Sequence, residues 1–153
     1  HEESLLGSVL DIMTDRSIEL VMWVVFAHMR LVPLAIPIIF IIRGTVVDAL
    51  RAVGVKQGTT PFGSTTSRVG SFLVGSPFMR SSYGIAKALA FTLLALTAAL
   101  NTYVEIGRGS IQTVNTIHLV AMVFSWIATA FCVVRGLPVI IESFAGLARS
   151  EAR

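Results

Sequence analysis

Asp11 and Asp15 stand four residues apart, with Gly7 four before the first, at the head of a run that soon becomes almost purely apolar. At helical spacing these three residues share one face. Two like charges on one stripe repel, so something positive is expected beside them. Hard divalent cations prefer carboxylate oxygens, which makes the pair a candidate metal site. Arg43, Arg80 and Lys87 come from later segments and are the candidate partners for an anionic group. A carboxylate pair beside a basic pocket can hold a metal against a phosphorylated substrate.

The elements that must position these residues are apolar. The chain has 153 residues, 54% of them hydrophobic and 14% charged, with mean hydropathy +0.79. Soluble globular proteins carry about 25% charged residues. The expected class is therefore an all-α, polytopic membrane helix bundle forming a single domain over 1–153. Net charge is +3. In so apolar a chain the bases mark cytoplasmic loops and lipid headgroups, so the bilayer is the expected partner and nucleic acid is not. Cys132 is the one cysteine, which excludes a disulfide framework.

Four spans are expected at about 20 residues each. The first runs from about Ser4 to His28, with Asp11, Asp15, Arg16 and Glu19 in its first half. Arg16 and Glu19 are three apart and are expected to pair. The second runs from Leu31 to about Val53; Pro33 and Pro37 fall in its first turns, and Asp48 and Arg51 read as a surface pair. Arg43 lies well inside this span, where a guanidinium needs a partner or a purpose. Residues 54–82 read as a cytoplasmic Gly/Ser/Thr-rich loop, with a short interfacial helix or re-entrant turn over Val69 to Met79. The third span covers about Tyr83 to Val104 and the fourth about Thr113 to Val134, closed by Arg135-Gly136-Leu137-Pro138. Residues 137–153 read as an amphipathic or flexible tail. Trp23 and Trp126 read as packing residues, and His118 as an interhelical hydrogen-bonding group.

Orientation follows from the bases. With the Asp11 end in the cytoplasm, every Lys and Arg from Arg43 to Lys87, together with Arg135, Arg149 and Arg153, lies near or beyond a cytoplasmic end. Asp11, Asp15, Arg43, Arg80 and Lys87 then share one membrane depth. No signal peptide precedes the first span, and the chain opens on His1, which points to the later part of a longer protein. A small membrane transporter or channel subunit, with a cation site at Asp11 and Asp15, is the alternative; it wants polar groups along a path, whereas these charges gather at one end.

These residues resemble the CDP-alcohol phosphatidyltransferase family, whose signature is D-x-x-D-G-x-x-A-R-x8-G-x3-D-x3-D. Gly7, Asp11 and Asp15 match its closing half, and His1 to Leu6 match the last six spacer residues. The opening half would lie upstream of His1. The stretch Ile41-Ile42-Arg43-Gly44-Thr45-Val46-Val47-Asp48-Ala49-Leu50-Arg51 and the segment Tyr83-Gly84-Ile85-Ala86-Lys87 are similar to the corresponding spans of phosphatidylglycerophosphate synthase-like members. The resemblance covers about Ser4 to Leu100.

The resemblance implies transfer of a phosphatidyl group from CDP-diacylglycerol to a small alcohol or phospho-alcohol, first of all glycerol 3-phosphate, with release of CMP. It implies a two-metal Mg²⁺ or Mn²⁺ site, partly supplied by residues outside this chain, so that the chain alone is expected to be inactive. Asp11 becomes a metal ligand, Asp15 a metal ligand and the general base, and Gly7 the point where the nucleotide approaches the helix. Arg43, Arg80 and Lys87 become candidates for the acceptor phosphate or headgroup. Six spans in the complete protein, a homodimer, and a bacterial inner-membrane location with the active site facing the cytoplasm are implied as well.

Overall fold

The computed structural model describes residues 5–56 and 76–151, and all the regular structure within them is helical. The elements are α1 (Leu5–His28), α2 (Ala35–Lys56), α3 (Pro77–Glu105) and α4 (Ile111–Glu151). The all-α class is as expected. By length and composition α3, over Pro77–Glu105, and α4, over Ile111–Phe144, are long and apolar enough to cross a membrane. α1 and α2 are as apolar on average but carry their acids and bases more densely. In α1 they lie between Asp11 and Glu19; in α2 they lie from Arg43 onward.

Tight turns join the helices at one end. After α1, Leu31 N–H donates to the Phe26 carbonyl (2.9 Å) and Arg30 N–H to the Ala27 carbonyl (3.0 Å), with Arg30 at φ 59. After α3, Arg108 N–H donates to the Tyr103 carbonyl (2.9 Å) and Gly107 N–H to the Val104 carbonyl (2.9 Å), with Gly107 at φ 75. Both are Schellman closures, which need one left-handed residue and satisfy carbonyls the helix leaves open. Leu31 and Phe26 are both buried, supplying the apolar contact that accompanies the motif.

The core lies between these turns and the polar end. Trp23 packs on Phe40 (5.1 Å between ring centroids) and edge-on to Phe91 (4.7 Å), which also meets Phe26 (5.9 Å). The α3–α4 contact is the most extensive, followed by α2–α4 and α1–α2. Small buried residues line the α3–α4 seam: Ala86 and Ala90 on one side, Ala121, Ser125 and Ala128 on the other. Such residues let helix backbones approach closely. The buried hydroxyls cost little, because Thr97, Ser125 and Thr129 each donate to the carbonyl four residues back at 2.8 Å.

Several boundaries differ from the sequence reading. α3 starts at Pro77, not Tyr83, because Pro77 takes the first helical position, where its missing N–H costs nothing. Residues 77–82 therefore belong to the helix and not to the 54–82 loop, whose remaining part from 57 to 75 lies outside the described residues, as does most of the expected interfacial helix. Pro33 precedes α2 rather than entering it; Pro37 alone lies in its first turn. Arg135-Gly136-Leu137-Pro138 does not end α4, which runs on through Pro138 to Glu151 without the separate tail expected over 137–153. The reason is tertiary: Val139, just past the proline, is buried against Val47 of α2 with Ile140 beside it. Trp126 is 46% exposed and is not a core residue, unlike Trp23 at 0%. His118 does bond across elements, its ring nitrogen lying 2.8 Å from the Leu31 carbonyl.

Candidate functional site

Asp11, Asp15, Glu19 and Trp23 follow one another at four-residue intervals on α1. The stripe passes from three acids to the buried indole. It therefore runs down the wall of a cavity and ends in the core on which that cavity rests. The cavity has a volume of about 540 Å³, and Phe40, one of the rings packed on Trp23, lines it.

Asp11, Asp15, Arg43, Arg80 and Lys87 all line this cavity, drawn from α1, α2 and α3. The helices alternate in direction, so the early part of α1, the later part of α2, the start of α3 and the later part of α4 meet at one end. Gly7 lies on α1 one turn before Asp11 and is exposed; it is not part of the lining. Asp11 and Asp15 are exposed and not buried. α3 covers only the Glu19 end of the acidic stripe, and Asp11 and Asp15 stay exposed.

The expected Arg16–Glu19 pair is exchanged for two long-range ones. Glu19 does not pair with Arg16. Its carboxylate accepts from Lys87 Nζ at 2.8 Å and from the Tyr83 hydroxyl at 2.9 Å, both on α3. Arg16 reaches Asp48 on α2 at 3.4 Å, while the Arg51 side chain expected beside Asp48 lies outside the described residues. A helix-surface pair stabilises by only a few tenths of a kcal/mol, and better-placed partners on a neighbouring helix displace it. Lys87 also lies over the Tyr83 ring, 4.5 Å from its centroid.

Arg135 of α4 was missed as a site residue. It lines the cavity, donates to the Met79 carbonyl (3.5 Å), and its guanidinium carbon lies 5.6 Å from the Tyr83 ring centroid. Cys132 lines the cavity one turn earlier. Because the sequence reading ended the span at residues 135–138, Arg135 looked like a terminal anchor. Glu19 carried a signal that was passed over: it continues the four-residue spacing of Asp11 and Asp15.

Two glycines shape the arginine side chains. A Cβ on Gly136 would lie 2.8 Å from Arg43 Nε and 2.9 Å from its Cγ; one on Gly44 would lie 3.1 Å from an Arg16 terminal nitrogen. Arg43 Nε is buried without a hydrogen-bond partner, and Arg43 makes no ion pair among the described residues.

Five bases and three acids line the cavity. Glu19 is committed to Lys87 and Tyr83, which leaves Asp11 and Asp15 facing a wall that includes Arg43 and Arg80. Among the described residues no three His, Cys, Asp or Glu side chains converge as a metal-ligating group. Two carboxylates one turn apart do suit one side of a Mg²⁺ shell, because that ion is commonly held by one or two carboxylates together with substrate phosphates. The arrangement can hold a hard cation on the α1 side and an anion on the arginine side. Comparison with family models, with curated proteins and with solved structures finds no significant match to this chain.

Proposed function

We propose that the chain forms the membrane-embedded catalytic part of a CDP-alcohol phosphatidyltransferase, moving a phosphatidyl group from CDP-diacylglycerol to an alcohol with release of CMP. The carrying observation is that Asp11, Asp15, Arg43, Arg80 and Lys87, remote in sequence, line one cavity at one end of the helices. In this reading all four helices span a bacterial inner membrane with the cavity at the cytoplasmic face. Large apolar residues exposed along α1 and α4, among them Ile18, Val21, Leu119 and Val123, support that placement, since a chain in water seldom exposes so much apolar surface.

Asp11 and Asp15 would hold Mg²⁺ or Mn²⁺, which when bound supplies charge stabilisation at the pyrophosphate. Two carboxylates are few for this role, so the reading requires the first two aspartates of the family signature, which the resemblance places outside this chain, and it takes the chain alone to be inactive. Asp15 removes the proton of the acceptor hydroxyl. The acceptor oxygen bonds to the phosphorus that carries diacylglycerol, the bond from that phosphorus to the bridging oxygen breaks, and CMP leaves with the electron pair. Arg43 and Arg80 bind the acceptor phosphate, for which glycerol 3-phosphate is the first choice, and Arg135 of α4 joins them. A guanidinium fork suits phosphate oxygens. Lys87 acts on that side only through Glu19 and Tyr83. A cation transporter or channel subunit fits less well, because bases outnumber acids around the cavity.

The test is CMP release from CDP-diacylglycerol by the protein carrying its natural upstream sequence, in lipid nanodiscs with Mg²⁺ and glycerol 3-phosphate. Release that depends on both acceptor and metal is expected. No CMP with glycerol 3-phosphate, inositol phosphate, serine or choline as acceptor would remove the reading.

A further inference from the structure

Arg43 reaches the cavity by lying flat across α4 at Gly136. Gly136 is buried, and its missing side chain is the clearance: a Cβ there would come within 2.9 Å of Arg43 Cγ and 2.8 Å of Nε, closer than real Cβ contacts. The Nε, covered in this way, has no hydrogen-bond partner among the described residues. A guanidinium with one nitrogen sealed against a helix keeps its remaining donors for the cavity. Among the described residues Arg43 makes no ion pair, since Glu19 is taken by Lys87 and Asp48 by Arg16. What orients Arg43 is therefore steric, and it comes from α4.

We propose that Gly136 is a positioning residue for Arg43, and that the slot it leaves sets where the cavity binds a phosphate group. The inference rests on Arg43 serving as a phosphate ligand. A methyl group at 136 pushes the arginine stem out of the slot and swings the guanidinium away from its place on the wall. Glycine in a helix interior is otherwise unfavourable relative to alanine, so the position carries a local cost that the Arg43 contact explains.

The experiment measures inorganic phosphate binding by calorimetry and thermal midpoint for wild type, Gly136→Ala, Arg43→Ala and the double variant, all as full-length protein in nanodiscs. Each single substitution is expected to weaken phosphate binding about tenfold, the scale of one charge-assisted hydrogen bond. The double variant is expected to bind no more weakly than Arg43→Ala alone. Its thermal midpoint is expected to exceed that of Arg43→Ala, because with the arginine stem gone alanine fits and favours the helix. In turnover, Gly136→Ala is expected to raise KM for glycerol 3-phosphate with kcat nearly unchanged. Should Gly136→Ala fail to fold while the double variant folds, the clash is with Arg43 and the inference stands; should both fail, Gly136 serves helix contact alone and the inference falls. Undiminished phosphate binding in Gly136→Ala, losses that multiply in the double variant, or no phosphate binding by wild type likewise overturn it. Absence of CMP release alongside the expected phosphate coupling counts against the transferase reading only.

Discussion

Glu19 of α1 and Lys87 of α3 form an ion pair of 2.8 Å, with side chains only 11% and 18% exposed, across a sequence separation of 68 residues. Tyr83 donates to the other carboxylate oxygen at 2.9 Å, so both oxygens of Glu19 are satisfied from one helix. The triad ties α1 to α3 at the polar end, above the core contact of Trp23 and Phe26 with Phe91. Removing one charge from such a pair leaves the other poorly solvated. Lys87→Met is expected to destabilise the protein by about 3 kcal/mol, and Tyr83→Phe by about 1 kcal/mol. Glu19→Gln combined with Lys87→Met is expected to recover much of the loss. Equilibrium unfolding in detergent, followed by circular dichroism, measures these variants together with Glu19→Gln alone; a double variant as unstable as the sum of its two single variants would show that the pair is not coupled.

On the transferase reading, Asp15 and Asp11 separate by role. Asp15→Asn is expected to lower CMP release by about a hundredfold or more, the scale of a lost general base, while leaving membrane insertion and the thermal midpoint intact. Asp11→Asn is expected to raise the Mg²⁺ concentration needed for half-maximal rate. Near-normal turnover by Asp15→Asn at saturating metal would withdraw its assignment as base.

Arg80 is an exposed lining residue with no ion-pair partner among the described residues, so it is available to a ligand in a way that Lys87 is not. Arg80→Ala is expected to raise KM for a phosphorylated acceptor roughly tenfold with little change in stability. Lys87→Met should show first in unfolding and only then in KM. Steady-state kinetics beside thermal unfolding for the two variants tells these apart, and equal KM effects with equal stabilities would contradict the distinction.

The two helix closures make opposite predictions. Gly107 has φ 75, so Gly107→Ala is expected to cost about 1 kcal/mol. Arg30 adopts φ 59 with a side chain that disfavours it, and Arg30→Gly is expected to stabilise by up to about 1 kcal/mol. Thermal midpoints of the two variants, compared with wild type, decide the matter.

The helical class, the four segments and the grouping of Asp11, Asp15, Arg43, Arg80 and Lys87 at one end were legible in the residues themselves. They rest on local quantities: apolar run length, four-residue spacing, and the place at which a charge interrupts an apolar run. Partner choice was not legible. Glu19 could have turned to Arg16 three residues ahead, yet it binds Lys87, because a helix-surface pair is weak and the packed neighbour offers two donors to one carboxylate. The course of α4 through Pro138 was equally hidden, since it depends on Val139 meeting Val47 on another helix. Only with that helix continued does Arg135 join the cavity and Gly136 face Arg43. The sequence by itself determined which residue types face one end of an apolar helical chain; the tertiary structure decided which of them touch, because contacts between helices depend on packing that no single segment contains.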